Sequence, residues 1–157
     1  VALVFIGAQV LGAALGGLFV QKLLPVELAN RCLYGTPHLH PDLSIGQGIG
    51  IEILATFVLG FSICATVLNN KVPIQTGGFG IGAAVAFLVY AFGPLTGAAM
   101  NPARQLGSAL AAGHWDHHWL YWVGPVIGAI LALQLCTRLF GKGIENPKSQ
   151  QGKQQSS

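Results

Sequence analysis

The sequence predicts an all-α membrane protein: a bundle of spanning helices around one re-entrant half-helix. Three observations carry that expectation. The apolar class makes up 52% of the 157 residues and charged residues only 8%, against ~25% charged in a soluble domain. The few charges are placed so that four long stretches hold almost none. One of those stretches is too long, and too rich in helix breakers, to be a single helix.

The first stretch, residues 1–21, carries no charge. It is too long and lacks the basic leader of a signal peptide, so it reads as a span. The second span is expected at 46–69, where Glu52 is the lone charge. The third stretch, 72–103, has 32 uncharged residues, roughly 48 Å as one helix against a ~30 Å hydrocarbon core. It contains Gly93-Pro94, Gly97 and Asn101-Pro102, all helix breakers. The expectation is a span near 78–93, a non-helical stretch, and a half-helix near 102–111. A last span is expected at 119–139, giving one transmembrane domain over 1–140. The polar tail 141–157 reads as disordered. The chain opens on Val1 inside an apolar run, so it is expected to be part of a longer protein.

Lys71, Arg138, Lys142, Lys148 and Lys153 fall on the side of the C-terminus, and Lys22 and Arg31 on the other. The positive-inside rule then makes the tail side cytoplasmic. A net charge of +3 is too small for a protein that must neutralise many phosphates, so no nucleic-acid partner is expected. The partner is the lipid bilayer. Small-xxx-small pairs occur in every span, at Gly12/Gly16, Gly46/Gly50, Gly78/Gly82 and Gly124/Gly128, and are expected to bring helix backbones close. A faint echo of Ala8–Ala13 in Gly124–Ala129 points to an internal repeat.

Asn101-Pro102-Ala103-Arg104 is a helix start, with Asn as cap and Pro at the first helical position. In a soluble protein it would be an ordinary capped helix. Here the start is expected in mid-membrane, where non-helical backbone is tolerated only beside protein or a watery cavity. The half-helix end adds a partial charge of roughly +0.5. An Arg there opposes cations or binds anions.

The stretch Gly93–Gly107 resembles the second signature loop of the aquaporin (major intrinsic protein) family. Gly46-Gln-Gly-Ile-Gly-Ile-Glu52 is similar to the start of that family's fourth helix, and Trp122-Val-Gly-Pro-Val-Ile-Gly-Ala129 to its sixth. The resemblance covers residues 1 to about 140. It implies a right-handed bundle of six helices and two half-helices, assembled as a homotetramer. This chain would supply four spans and one half-helix of it. The first Asn-Pro-Ala loop would lie upstream of Val1.

The resemblance also implies roles. The carbonyls of Gly97, Ala98, Ala99 and Met100 would form a ladder of acceptors for a water file, Asn101 would donate at its midpoint, and Glu52 would hold the loop's N–H groups. A proton-relay acid is the other reading of Glu52. The selectivity filter would use Val89, Ala98 and Arg104. Strict water channels carry His where Val89 stands, so this filter is expected to be wider and less polar. Glycerol-type members carry Asp where Gln105 stands and lack an aromatic pair like Tyr121-Trp122, whereas Gly93–Gly97 leans towards the glycerol side. The expected function is passive conduction of water and small neutral solutes (urea, ammonia, hydrogen peroxide, glycerol), excluding protons and ions. It needs no cofactor and involves no catalysis. The expected location is the plasma membrane, with an intracellular membrane as the alternative.

Three rival readings stand beside it. One is a glycerol-specific channel. Another is an anion-binding transporter that uses Arg104 and the half-helix end. The third is an enzyme with zinc at His114, Asp116, His117 and His118, near His38 and His40; four ligands within one short loop rarely build a tetrahedral site. Cys32, Cys64 and Cys136 have no apparent partners, and Cys64 and Cys136 read as small buried hydrophobes.

Overall fold

A computed structural model describes residues 2–66 and 74–140. The tail 141–157, the end of the second expected span at 67–69, and Lys71 lie outside the described residues. Within them the chain is all-helical: α1 (Ala2–Leu23), α2 (Val26–Arg31), a 3-10 turn (Leu33–Gly35), α3 (Ile45–Thr66), α4 (Ile74–Thr96), α5 (Pro102–Ala112) and α6 (Leu120–Phe140). Among the described residues, α1, α3, α4 and α6 are long and apolar enough to cross a membrane. The chain is therefore a multi-pass membrane protein.

α4 does not end at Gly93-Pro94, where the breakers were expected to stop it. It runs to Thr96 with Pro94 inside it. A proline in the last turn removes one hydrogen bond and leaves the rest of the ladder intact. What ends the helix is Gly97, whose φ of +80 is left-handed and whose N–H still bonds back to the Gly93 carbonyl at 2.9 Å. A side chain cannot stand there: a β-carbon on Gly97 would overlap the Pro37 backbone.

Two parallel helix pairs organise the bundle. In the first, every fourth residue of α3 meets a residue of α6 that is 72 further along the sequence. Gly48 lies against Leu120; a β-carbon on Gly124 would stand 2.6 Å from that of Glu52, one on Gly128 2.9 Å from that of Thr56, and one on Gly60 2.9 Å from that of Ala132. Rows of i, i+4 residues meshing on both helices are the close, right-handed class of crossing. The rows consist of small residues because in lipid, packing rather than hydrophobicity drives helix association. The second pair is α1 on α5, where Gly17 packs on the Gly107 backbone, Gly107 on Ala13, and Gln21 Nε2 donates to the Ala111 carbonyl at 3.2 Å. α4 runs back antiparallel on α3, with Gly80 against Thr66.

Only one of the four expected glycine pairs, Gly124/Gly128, serves as a helix contact among the described residues. Gly12, Gly16, Gly46, Gly50, Gly78 and Gly82 have nothing within 4 Å of an added β-carbon. The contacts fall instead on Gly17, Gly48, Gly60 and Gly107, which are set by the meshing of facing rows. Spacing within one helix cannot reveal which row faces a neighbour.

Gly128→Val should therefore force α6 off α3 and cost about 1–3 kcal/mol of stability. Gly50→Ala should be tolerated. Thermal unfolding of the two full-length variants in detergent checks the contrast.

Candidate functional site

The site forms where α5 begins. Asn101 is extended (φ −156) and its Oδ1 accepts from the Ala103 N–H at 2.9 Å, with Pro102 opening the helix. This N-terminus lies between the middles of two long helices. Asn101 Nδ2 reaches Gln9 of α1 at 3.4 Å, and the Met100 N–H just before it reaches Glu52 of α3. Both Gln9 and Glu52 are the eighth residue of a 22-residue helix. α5 then runs beside α1 to that helix's end and stops at left-handed Gly113. It is a half-helix because it starts halfway.

The approach to it, Gly97–Met100, is non-helical and strained. Ala98 (φ 45) and Met100 (φ 52) are left-handed although neither is glycine, a cost of about 1–2 kcal/mol each. Buried donor contacts hold them. The Glu52 carboxylate is fully buried and accepts from the Ala99 N–H at 3.0 Å, the Met100 N–H at 2.9 Å and the Thr96 hydroxyl at 2.7 Å. Thr96 Oγ1 in turn accepts from the Ala98 N–H at 3.3 Å, and the buried Tyr121 hydroxyl donates to the Thr96 carbonyl at 2.9 Å. From outside, His40 N–H donates to the Leu95 carbonyl at 2.8 Å and Gln105 Nε2 to the Pro37 carbonyl at 3.2 Å. The segment 36–40 thus straps the turn down.

These bonds leave an asymmetry. Every N–H from Gly97 to Met100 is engaged, by Gly93, Thr96 or Glu52. Among the described residues none of the four carbonyls accepts a hydrogen bond. The strip can only accept. Beyond it, Asn101 and Arg104 can only donate, since Asn101 Oδ1 is occupied by the cap.

Asn101, Ala103, Arg104 and Ser108 line an open groove of about 490 Å³, together with Gln9, Gly12 and Gly16 of α1 and with Tyr34. The Arg104 guanidinium has no ion-pair or hydrogen-bond partner among the described residues. Of the other two filter candidates, Ala98 is 2% exposed and packs on Ala55, Leu88 and Met100. Val89 is 46% exposed on α4. Neither lines the groove. Gln105, read from sequence as a solute marker, is fully buried and acts as a strap to Pro37. Thr96 and the Thr36–His40 strap were missed. The only sequence signal for the strap was a run of polar and proline residues between two spans.

The histidines scatter over separate partners. His38 stacks edge-on to His114 with ring centres 6.5 Å apart, and His40 sits 3.7 Å from Asp42. His118 stacks on Trp115, and its Nε2 lies 3.0 Å from the Trp122 indole Nε1. Among the described residues no three His, Cys, Asp or Glu side chains are placed to hold a metal. An indole can only donate, so His118 Nε2 must be the acceptor and the ring neutral. Burial pushes the His118 pKa below its ordinary 6.5.

The family model for major intrinsic proteins matches residues 1–135. Aquaporin-4 of Bos taurus is 38% identical over 145 residues, covering 90% of this chain and 43% of the relative. The probable aquaporin TIP4-2 of Oryza sativa subsp. japonica is 42% identical over 144 residues, 87% of this chain and 52% of its own length. Aquaporin-8 of Mus musculus is 32% identical over 135 residues, with 85% and 52% covered. The chain spans about half the length of the curated relatives it matches.

Two outcomes follow for the site. Glu52→Gln offers one acceptor where two oxygens served three donors, and turns an NH₂ towards the rest. It should lower stability by about 1.5–3 kcal/mol per charged bond lost and abolish any transport, read by thermal unfolding and vesicle flux. For His118, a folded pKa below the unfolded one means the unfolded state binds the proton more readily. Its contribution to stability is whole above pH 6.5 and declines as the pH falls below that value. Protonation also removes the indole's acceptor, so tryptophan fluorescence should change with a midpoint under pH 6.5, and His118→Phe should remove that transition.

Proposed function

The chain belongs to the major intrinsic protein family, and from that premise we propose that the protein it forms part of is a passive channel for water and small neutral solutes. The observation that carries this reading is the strip of four unpaired carbonyls followed by a donor-only end. An unpaired carbonyl away from bulk water costs free energy unless something donates to it. Water, urea, ammonia, hydrogen peroxide and glycerol can all donate. Carbonyls replace lost hydration without fixing a charge in the path.

Proton and ion exclusion follows from the other end. A water at Asn101 receives hydrogen bonds through its oxygen and turns its own hydrogens away, so it cannot pass a proton on through that oxygen. The half-helix end and Arg104 add positive charge at the same point and repel cations. The solute range follows from the missing bulk at the filter: Val89 replaces an imidazole, and Ala98 contributes only a methyl that is turned into the packing. Width favours small neutral solutes beside water over water alone. The protein works as a homotetramer in the plasma membrane with its C-terminus cytoplasmic. The basic bias of that side supports this orientation.

Vesicles holding the full-length protein should swell faster than empty ones in an osmotic step, without saturation as solute rises. Equal rates would sink the channel reading, and saturable anion-dependent flux would replace it with a transporter. Arg104→Val should keep water flux, raise urea and glycerol flux severalfold and admit a cation leak.

A further inference from the structure

The α3–α6 seam ends in a rung that the channel function does not use. Its rungs are Gly48/Leu120, Glu52/Gly124, Thr56/Gly128, Gly60/Ala132 and then, at the same offset of 72, Cys64/Cys136. Both cysteines are buried and unbridged. The register that pairs Gly60 with Ala132 brings them to facing positions one turn further on. We propose that Cys64 and Cys136 form a reversible disulfide, a redox staple between the ends of α3 and α6.

Geometry supports the bond. A disulfide needs β-carbons about 3.5–4.5 Å apart, closer than most helix pairs allow. Here three rungs in succession bring a real or added β-carbon to within 2.6–2.9 Å of its opposite, and the thiol rung follows one turn later. The two helices are parallel, so both cysteines lie in the last two turns of their helices, at the same end of the bundle. Cys32, by contrast, follows α2, which comes after the end of α1. That places it at the opposite end, where α5 also finishes, out of reach of either.

The chemistry balances with a peroxide as the two-electron oxidant. Cys64 is 7% exposed and Cys136 is 0% exposed, so Cys64 is attacked first. Its sulfur displaces water from hydrogen peroxide and becomes a sulfenic acid. The Cys136 sulfur then attacks that sulfur, forming the S–S bond and releasing a second water, with the thiol protons leaving in the two waters. A dithiol reductant reverses it by thiol–disulfide exchange. The bond would fasten α3, which carries Glu52, to α6, which carries Tyr121, so it clamps the two helices that hold the loop.

The test treats the full-length protein in vesicles with hydrogen peroxide, alkylates remaining thiols and maps peptides without reduction. The expected result is one linked peptide pair holding Cys64 and Cys136, lighter by two hydrogen atoms than the sum of its parts, which disappears on treatment with dithiothreitol. Two free thiols per chain are lost, and the oxidised protein unfolds at a higher temperature than the reduced one. Cys64→Ser and Cys136→Ser should each abolish the linked pair and the thermal shift. Recovery of both cysteines alkylated, or each oxidised singly to a sulfinic or sulfonic acid, or either linked to another cysteine, overturns the proposal. The wild-type map decides this whether or not the variants fold.

Discussion

The Glu52 carboxylate is the point from which the rest of the site is hung. Ala98 and Met100 occupy left-handed backbone that each would avoid in a free chain, and beyond the Thr96 hydroxyl that accepts from Ala98 N–H what holds them comes from α3. Two charged hydrogen bonds to the neighbouring N–H groups are worth about 1.5–3 kcal/mol each, the same order as the strain they oppose. Burying a charge is itself unfavourable unless its lone pairs are filled. Here Thr96 fills a further position and is itself fixed by Tyr121. The carboxylate and the strained loop therefore justify each other: neither would be stable without its partner. The three bonds fall two on Oε1 and one on Oε2.

That arrangement depends on how close α6 comes to α3. Glu52 is a rung of the seam, and the residue facing its β-carbon is Gly124. Any side chain at Gly124 would push Glu52 away from the loop. The same approach puts Tyr121, one residue into α6, where its hydroxyl meets the Thr96 carbonyl. Small residues in the seam thus do more than permit packing. They fix the height and reach of the carboxylate, and through it the N–H groups of Ala99 and Met100. On the other side, α1 performs the corresponding task for α5 through Ala13, Gly17 and Gln21. The half-helix is held by a neighbour whose middle it starts from.

Much of this was legible in the sequence, for identifiable reasons. Charge gaps mark spans because a charge in lipid is costly whatever the tertiary structure, so α1, α3 and α6 are visible from composition alone. Asn101-Pro102 marks the start of α5 because capping is local chemistry. What the sequence hides is decided between elements. Glycine pairs occur in every span, yet which rows mesh depends on the rotation of each helix about its axis, and that is why Gly17 and Gly60 matter where Gly12 and Gly46 do not. The sequence puts the end of α4 near residue 93, because Gly93-Pro94 is the first local breaker. The true stop at Gly97 is imposed from a distance, by the Pro37 backbone pressing where a β-carbon would be. Gln105 belongs to the same class: from sequence it stands only as a departure from the glycerol-type Asp, but in the structure it holds the strap.

The strap also explains why a loop of this kind can be rigid without being helical. Backbone in a spanning protein normally satisfies itself within a helix or a sheet. The Gly97–Met100 segment instead has its donors satisfied from one side, by α3 and the end of α4, and its outer flank closed by residues 36–40. With the four donors engaged and the four carbonyls without a donor among the described residues, the strip can meet only something that donates. A flexible loop would turn those carbonyls back to its own N–H groups and lose the polarity of the strip. The acceptor-only character of the strip is therefore a consequence of the buried carboxylate on α3, whereas Arg104 stands on α5. The guanidinium adds charge at the end of the strip, but Glu52 gives the strip its direction.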